Sequence, residues 1–237
     1  MSLTLATLAL SAVAATTPAS DWESLFDGKT LAGWHVESLP RDRGKEFWQV
    51  RTGAITCDSL GQPDHDYVWL VSDGEYGDFE LRLQVRGFPR SHGNSGIQFR
   101  SRYDRDAGWM DGPQVDVHPP APWRTGLLYD ETREAKRWIF PSLPDWRIEA
   151  GQGPHEWSWR QAGEGTGWND VRLTARGMHV TTVVNGITIA DFDGTGLLDD
   201  EGHRRHDVGR RGHFAFQLHK DDELLIQFRD VRVRVLD

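Results

Sequence analysis

The stretch GPQVDVHPP, residues 112 to 120, sets an amide, a carboxylate and an imidazole in one row. If it is a strand, Val115 and Val117 point to one side. Gln114, Asp116 and His118 point to the other. Two further segments read the same way. SGIQFRSR (95 to 102) sets Ile97 and Phe99 against Gln98 and Arg100. HFAFQLH (213 to 219) sets Phe214, Phe216 and Leu218 against Ala215, Gln217 and His219. With the apolar sets in a core, neighbouring strands would collect Arg100, Asp116, His118, Gln217 and His219 in one patch. Tyr129 and Glu131 could reach it from the adjoining segment, and Trp109 and Trp123 flank the opening strand. A solvated sheet face needs no function, and for any one of these residues that is the simpler account. As a group they differ from such a face. Gln, His, Arg and Asp have specific hydrogen-bonding geometry, and tryptophan faces can stack on sugar rings.

The elements that must position these residues are strands. DFELRLQVR (78 to 86) alternates strictly, and FWQVRTGAITC (47 to 57), YVWLVS (67 to 72) and LLIQFRDVRVRVL (224 to 236) are further strand segments. VRLTARGMHVTTVVNGITIADF (171 to 192) reads as three strands, with Asn185-Gly186 as a type I′ hairpin turn. A short helix in 130 to 138 is the one helical candidate. Residues 141 to 168, rich in Pro, Gly and Trp, are expected to be long surface loops. About a dozen strands imply a single two-sheet antiparallel sandwich.

Composition narrows the function classes. The 237 residues suit one large domain. A formal net charge of -9 argues against a nucleic-acid partner. No apolar run in the body is long enough to span a membrane. The single cysteine, Cys57, allows no internal disulfide and is expected to be buried. Residues 1 to 15 read as a signal peptide, with an apolar run from Leu3 to Ala14 and an A-x-A-like cleavage site, although a charged n-region is missing. A periplasmic or secreted location follows. Three other segments are expected to carry no site. The run at 191 to 203 reads as a solvated turn, HRRHDVGRR (203 to 211) as an exposed loop, and AGEGTG (162 to 167) is not a phosphate loop.

Five blocks, in order, resemble the 3-keto-disaccharide hydrolase family: LFDGKTLAGWHV (25 to 36), YGDFELRLQVR with GNSGIQFRSR (76 to 102), TGLLYDETREAKRW (125 to 138), GWNDVRLTARGMHVTTVVNGITIADF (167 to 192) and FQLHKDDELLIQFRDVRVRVL (216 to 236). The resemblance covers nearly all of residues 21 to 237. It implies an all-β, concanavalin A-like jelly-roll sandwich of two antiparallel sheets. It also implies exported bacterial proteins acting on glycosides oxidised at the sugar 3-position.

Retaining glucanases use two carboxylates, and the row Gln114, Asp116, His118 holds one. A 3-keto sugar needs no such pair. Its ketone acidifies the C2 hydrogen, so one base can start a β-elimination, and water can add afterwards. That chemistry requires a base, a cationic stabiliser and an acid. Asp116 or His118 is expected to be the base, Arg100 the enolate contact and His219 the acid. Gln98, Gln114 and Gln217 would hold sugar hydroxyls, with Tyr129, Glu131, Trp109 and Trp123 as further substrate contacts. No cofactor is expected, although Asp116, His118 and His219 could supply ligands to a divalent cation. The expected partner is a small-molecule carbohydrate. The alternative is a carbohydrate-binding module of the same fold without catalysis. A structural interaction domain is a third reading.

Overall fold

The computed structural model describes residues 21–163 and 166–236. The leader expected over residues 1 to 15 lies outside the described residues. The elements are β1 (Glu23–Ser24), β2 (Trp34–Ser38), β3 (Trp48–Arg51), β4 (Ala54–Asp58), β5 (Val68–Tyr76), β6 (Phe79–Gly87), β7 (Ser95–Asp104), β8 (Trp109–Asp111), β9 (Pro113–Val117), β10 (Leu128–Asp130), β11 (Arg137–Phe140), β12 (Asn169–Arg176), β13 (His179–Val184), β14 (Ile187–Asp193), α1 (Glu201–Arg205), β15 (Gly212–Leu218) and β16 (Leu225–Val235). They form two antiparallel sheets of eight strands, in the expected sandwich. One runs β14-β13-β12-β6-β16-β4-β3, with β1 on β16. The other runs β11-β10-β9-β7-β15-β5-β2, with β8 on β7.

Period-2 patterning builds the core between the sheets. Leu81, Leu83, Leu173, Phe228 and Val233 come from the first sheet. Ile97, Phe99, Val115, Val117, Phe214 and Phe216 come from the second, and all are buried in one cluster. Phe216 and Phe228 stack across the sheets with centroids 4.1 Å apart. Asn185 (φ 48°) and Gly186 (φ 84°) carry the left-handed turn between β13 and β14 that the sequence demanded. Cys57 is buried within β4. Among the described residues no helix is long and apolar enough to cross a membrane.

Two expectations fail. Residues 130 to 138 form no helix: β10 and β11 flank a turn, and Glu134 and Lys136 hold positive φ. Residues 203 to 211 are not simply an exposed loop. Asp200 caps α1 by accepting from the His203 backbone N–H at 2.9 Å. His203 itself is fully buried, held between Asp200 (2.9 Å) and Asp130 (3.3 Å).

Candidate active site

The outer face of the second sheet is not a wet surface. Gln98, Gln114, Asp116, Glu131 and Gln217 stand on it, and each is at most 6% exposed. β9 lies between β7 and β10, which sets Gln114 opposite Gln98 and Tyr129, and Asp116 opposite Gly96. Gln98 Nε2 donates to Gln114 Oε1 at 2.8 Å. Gly96 makes room for this: a Cβ there would stand 2.1 Å from the Gln114 side chain. Gln217 Nε2 donates to Glu131 Oε1 at 3.2 Å.

Aromatic side chains and one turn wall the face. Trp69, Val71, Met110 and Ala215 form a second apolar cluster on this side of the sheet, with Tyr67, Tyr103 and Trp109 packed on it. Trp109 donates from Nε1 to the Glu131 carbonyl at 2.7 Å, which ties β8 to the segment after β10. That segment carries Lys136, whose ammonium lies 3.6 Å from the Trp109 ring centroid. The resulting pocket has a volume of about 240 Å³. That is below the roughly 300–1,000 Å³ typical of drug-sized ligands, so a monosaccharide-sized group suits it. Asp116, Glu131, His219, Arg124 and Lys136 supply its charges, and Trp146, 65% exposed, stands at its rim.

Burial sets the proton affinities of the two carboxyls. Removal from water pushes Asp116 up to about 6, against the pull of Arg124, Asn94 and His219. The Arg124 Nε lies 3.2 Å from Asp116 Oδ2, close but poorly aligned for a hydrogen bond. Removal from water likewise pushes Glu131 up to about 7, against the Gln217 hydrogen bond and the His219 and Lys136 charges. Burial works against a charge on His219, but Asp222, 3.3 Å away, and Glu131 outweigh it and raise its affinity for a proton. His219 Nε2 meets the Tyr67 hydroxyl at 3.0 Å. Asn94 Oδ1, Gln98 Oε1, Asp116 Oδ2 and Gln217 Oε1 are buried on this face without a hydrogen-bond partner, and buried polar groups ordinarily have one. No group of three or more His, Cys, Asp or Glu among the described residues is arranged to hold a metal ion.

Residues 21–234 match the family model of the 3-keto-alpha-glucoside-1,2-lyase-like domain. The chain belongs to this family. Solved structures agree on the fold of this lyase-like domain. Two Parabacteroides distasonis proteins described as candidate glycosyl hydrolases are 19% and 18% identical, with TM-scores of 0.57 and 0.55. Each alignment covers 91% of this chain, and 94% and 99% of theirs. A Bacillus subtilis protein with a galectin-like fold is 12% identical with a TM-score of 0.50, over 86% of this chain and 89% of its own. No curated protein matches this chain.

In this lyase-like domain the pocket brings together Gln114, Asp116, Tyr129, Glu131, Trp109 and His219, six of the residues expected from sequence. Gln98 and Gln217 lie beneath them, bonded to Gln114 and Glu131. His118 stands beyond the end of β9, off the pocket wall. Burial and the Arg124 charge push it down to about 4, so it is neutral. Trp123 also lies off the wall, packed against the core. Arg100 is a correction. The register between β7 and β15 slips there, since Ser101 faces His213 but Gln98 faces Ala215. The bulge puts Arg100 at φ 50° and breaks the alternation. Its guanidinium is fully buried and donates to the carbonyls of Gly77 and Gly177 and to Asp78, away from the pocket. The row Gln114, Asp116, His118 holds one carboxylate, and Glu131, expected as a substrate contact, brings a second into the pocket. Sequence reasoning passed over Tyr67, Asn94, Arg124, Lys136, Trp138 and Trp146. Tyr67 and Lys136 lay within segments read as YVWLVS and TGLLYDETREAKRW, and alternation back from Trp69 would have put Tyr67 on the same face.

Proposed function

We propose that this protein is an exported enzyme that cleaves 3-keto-glucosides by elimination across C1 and C2. The observation that carries this reading is the pair of buried carboxyls, Asp116 and Glu131, tuned to about 6 and about 7 beside Arg124, Lys136 and His219 in a sugar-sized pocket. Asp116, the more acidic, takes the C2 proton. The electron pair moves to the C3 oxygen as an enolate, and the nearby cations lower its energy. The enolate re-forms the ketone as the C1–O bond breaks, and Glu131 gives its proton to the departing oxygen. The products are an enone sugar and an alcohol, and water can then add to the enone. Lys136 and Arg124 take the cationic part first expected of Arg100. The His219 imidazolium, on Tyr67, adds positive charge. Trp146 offers an indole face at the rim. The lyase-like family supports the substrate class, and the apolar leader pattern at residues 1 to 15 supports export.

Two carboxyls in one pocket also favour a second reading, direct hydrolysis of unoxidised glycosides. One experiment separates the two. Purified protein is incubated in D₂O with a 3-keto-glucoside and with the parent glucoside, and aglycone release and deuterium at C2 are followed. Cleavage of the 3-keto compound alone, slowed by C2 deuteration, is the expected result. Equal cleavage of the parent glucoside would overturn elimination. Binding of either sugar without turnover would identify a carbohydrate-binding module.

A further inference from the structure

The outer face of the first sheet, on the far side of the sandwich from the pocket, carries an unusual charge arrangement. Arg172, Arg82 and Arg232 stand directly opposite one another on β12, β6 and β16. Directly opposed like charges disfavour strand pairing, and an ordinary solvated face alternates their signs. The side chains are 49%, 50% and 57% exposed. Arg234, Arg86 and Arg229 extend the patch on the same strands.

The carboxylates on this face are outnumbered. Glu80 serves Arg82 (2.7 Å), Arg234 (2.6 Å) and, more distantly, Arg172 (3.6 Å). Asp230 lies 3.6 Å from Arg229 and 3.9 Å from Arg232. Asp170 lies 3.9 Å from a further arginine, Arg160. Two tryptophans hold guanidinium groups in place. Trp22 carries Arg82 and Arg234 at 4.5 and 5.1 Å, and Trp168 carries Arg86 and Arg229 at 4.5 and 4.1 Å. Surplus cations on one face, in a chain of net charge -9, are concentrated where a polyanion would meet them.

We propose that this face binds an acidic polysaccharide. The row crosses three strands spaced about 4.8 Å apart, a step comparable with one sugar residue. Arginine forks pair bidentately with carboxylate or sulfate groups. An extended, flexible chain can follow the row, whereas a rigid duplex would press its charge against the acidic remainder of the molecule. A bilayer would need apolar anchors. Among the described residues the exposed large apolar side chains are Val36, Trp146 and Val235, and none stands on this face, since Val235 pairs with Phe79 in the inward set of β16.

The test measures retention of the full chain on immobilised polygalacturonate, dextran sulfate and neutral dextran across a salt series. Parallel samples use phosphatidylglycerol vesicles and duplex DNA. The triple variant Arg82→Gln, Arg172→Gln, Arg232→Gln is compared after its melting temperature has been checked. The single variant Arg232→Gln serves if the triple variant does not fold. Wild type is expected to bind one or both acidic polymers, release with salt and ignore neutral dextran. Preference for polygalacturonate identifies carboxylate as the recognised group, and preference for dextran sulfate identifies sulfate. The triple variant should bind about tenfold more weakly or worse, and the single variant measurably less than wild type. Passage of wild type through both acidic columns, unchanged binding by the folded variant, or equal binding to vesicles or DNA would each overturn the proposal.

Discussion

Under the proposed elimination Asp116 and Glu131 take separate tasks, and burial raises both carboxyls to where one can be ionised and the other protonated near neutrality. The base must be ionised, so kcat/KM should rise with pH through about 6. The acid must be protonated, so it should fall again above about 7. A pH profile on a 3-keto-glucoside is expected to be a narrow bell. Asp116→Asn should remove about 10²–10⁴ of the rate, and Glu131→Gln should abolish the alkaline limb along with most of the turnover. Arg124→Gln should move the acid limb upward, because the Arg124 charge pulls Asp116 down. The same tuning opposes stability. A buried carboxyl with a raised folded-state affinity binds its proton longer in the native state than in the unfolded one, so stability is lost as pH rises from about 4.5 through about 7. Glu131→Gln should therefore gain stability on wild type between pH 5 and pH 8, by up to about 2–3 kcal/mol, read from denaturant unfolding at each pH. Residue types and alternation were enough to find Asp116, Gln114 and His219 in the sequence. They could not find Arg124, which reaches the site from a turn, nor reject Arg100, whose bulge leaves no mark in a period-2 pattern.

Strands were easy to read where one face is buried, since Phe79, Leu81, Leu83 and Val85 on β6 admit one orientation only. The segment after β10 was not, because its conformation is imposed from outside. Thr132 Oγ1 lies 3.2 Å from His203 Nε2, and Asp130 and Asp200 hold the same imidazole. Helix α1 thus props the stretch that presents Glu131 and Lys136, and a contact across 71 residues is invisible to local pattern. Burial disfavours a charge on His203, but hydrogen bonds and charges from Asp130 and Asp200 outweigh it and raise its proton affinity. Its stabilisation is complete below the ordinary histidine value of about 6.5 and is lost as pH rises through the raised one. His203→Ala should cost about 3–5 kcal/mol, with a wider gap to wild type at pH 6 than at pH 9 in thermal melts. It should also lower kcat by loosening the prop beneath Glu131. Gly96→Ala acts on the floor instead. Its Cβ would displace Gln114, so KM should rise, in steady-state kinetics, more than kcat falls.

Across the whole molecule, the two sheets present opposite chemistry. One outer face gathers carboxyls in a pocket, and the other displays a row of arginines. Composition alone, with its net charge of -9, pointed away from nucleic acid and gave no sign of a cationic face, because a sum hides how charge is distributed. Strand order was needed to see Arg172, Arg82 and Arg232 as neighbours. The arrangement predicts that the two proposed sites act independently. Sheets in a sandwich pack about 10 Å apart, side chains on both outer faces add to that distance, and charges are screened within about 8 Å at physiological ionic strength. A polymer held on the arginine face therefore leaves the pocket open to solvent on the other side. Saturating polygalacturonate is expected to leave kcat/KM for a small 3-keto-glucoside unchanged, measured at a salt concentration where retention is complete. Competitive inhibition that persists in the Arg82→Gln, Arg172→Gln, Arg232→Gln variant would mean that the polymer enters the pocket itself. Inhibition that vanishes with those arginines would mean that the two faces communicate through the core, where Phe216 of one sheet stacks on Phe228 of the other.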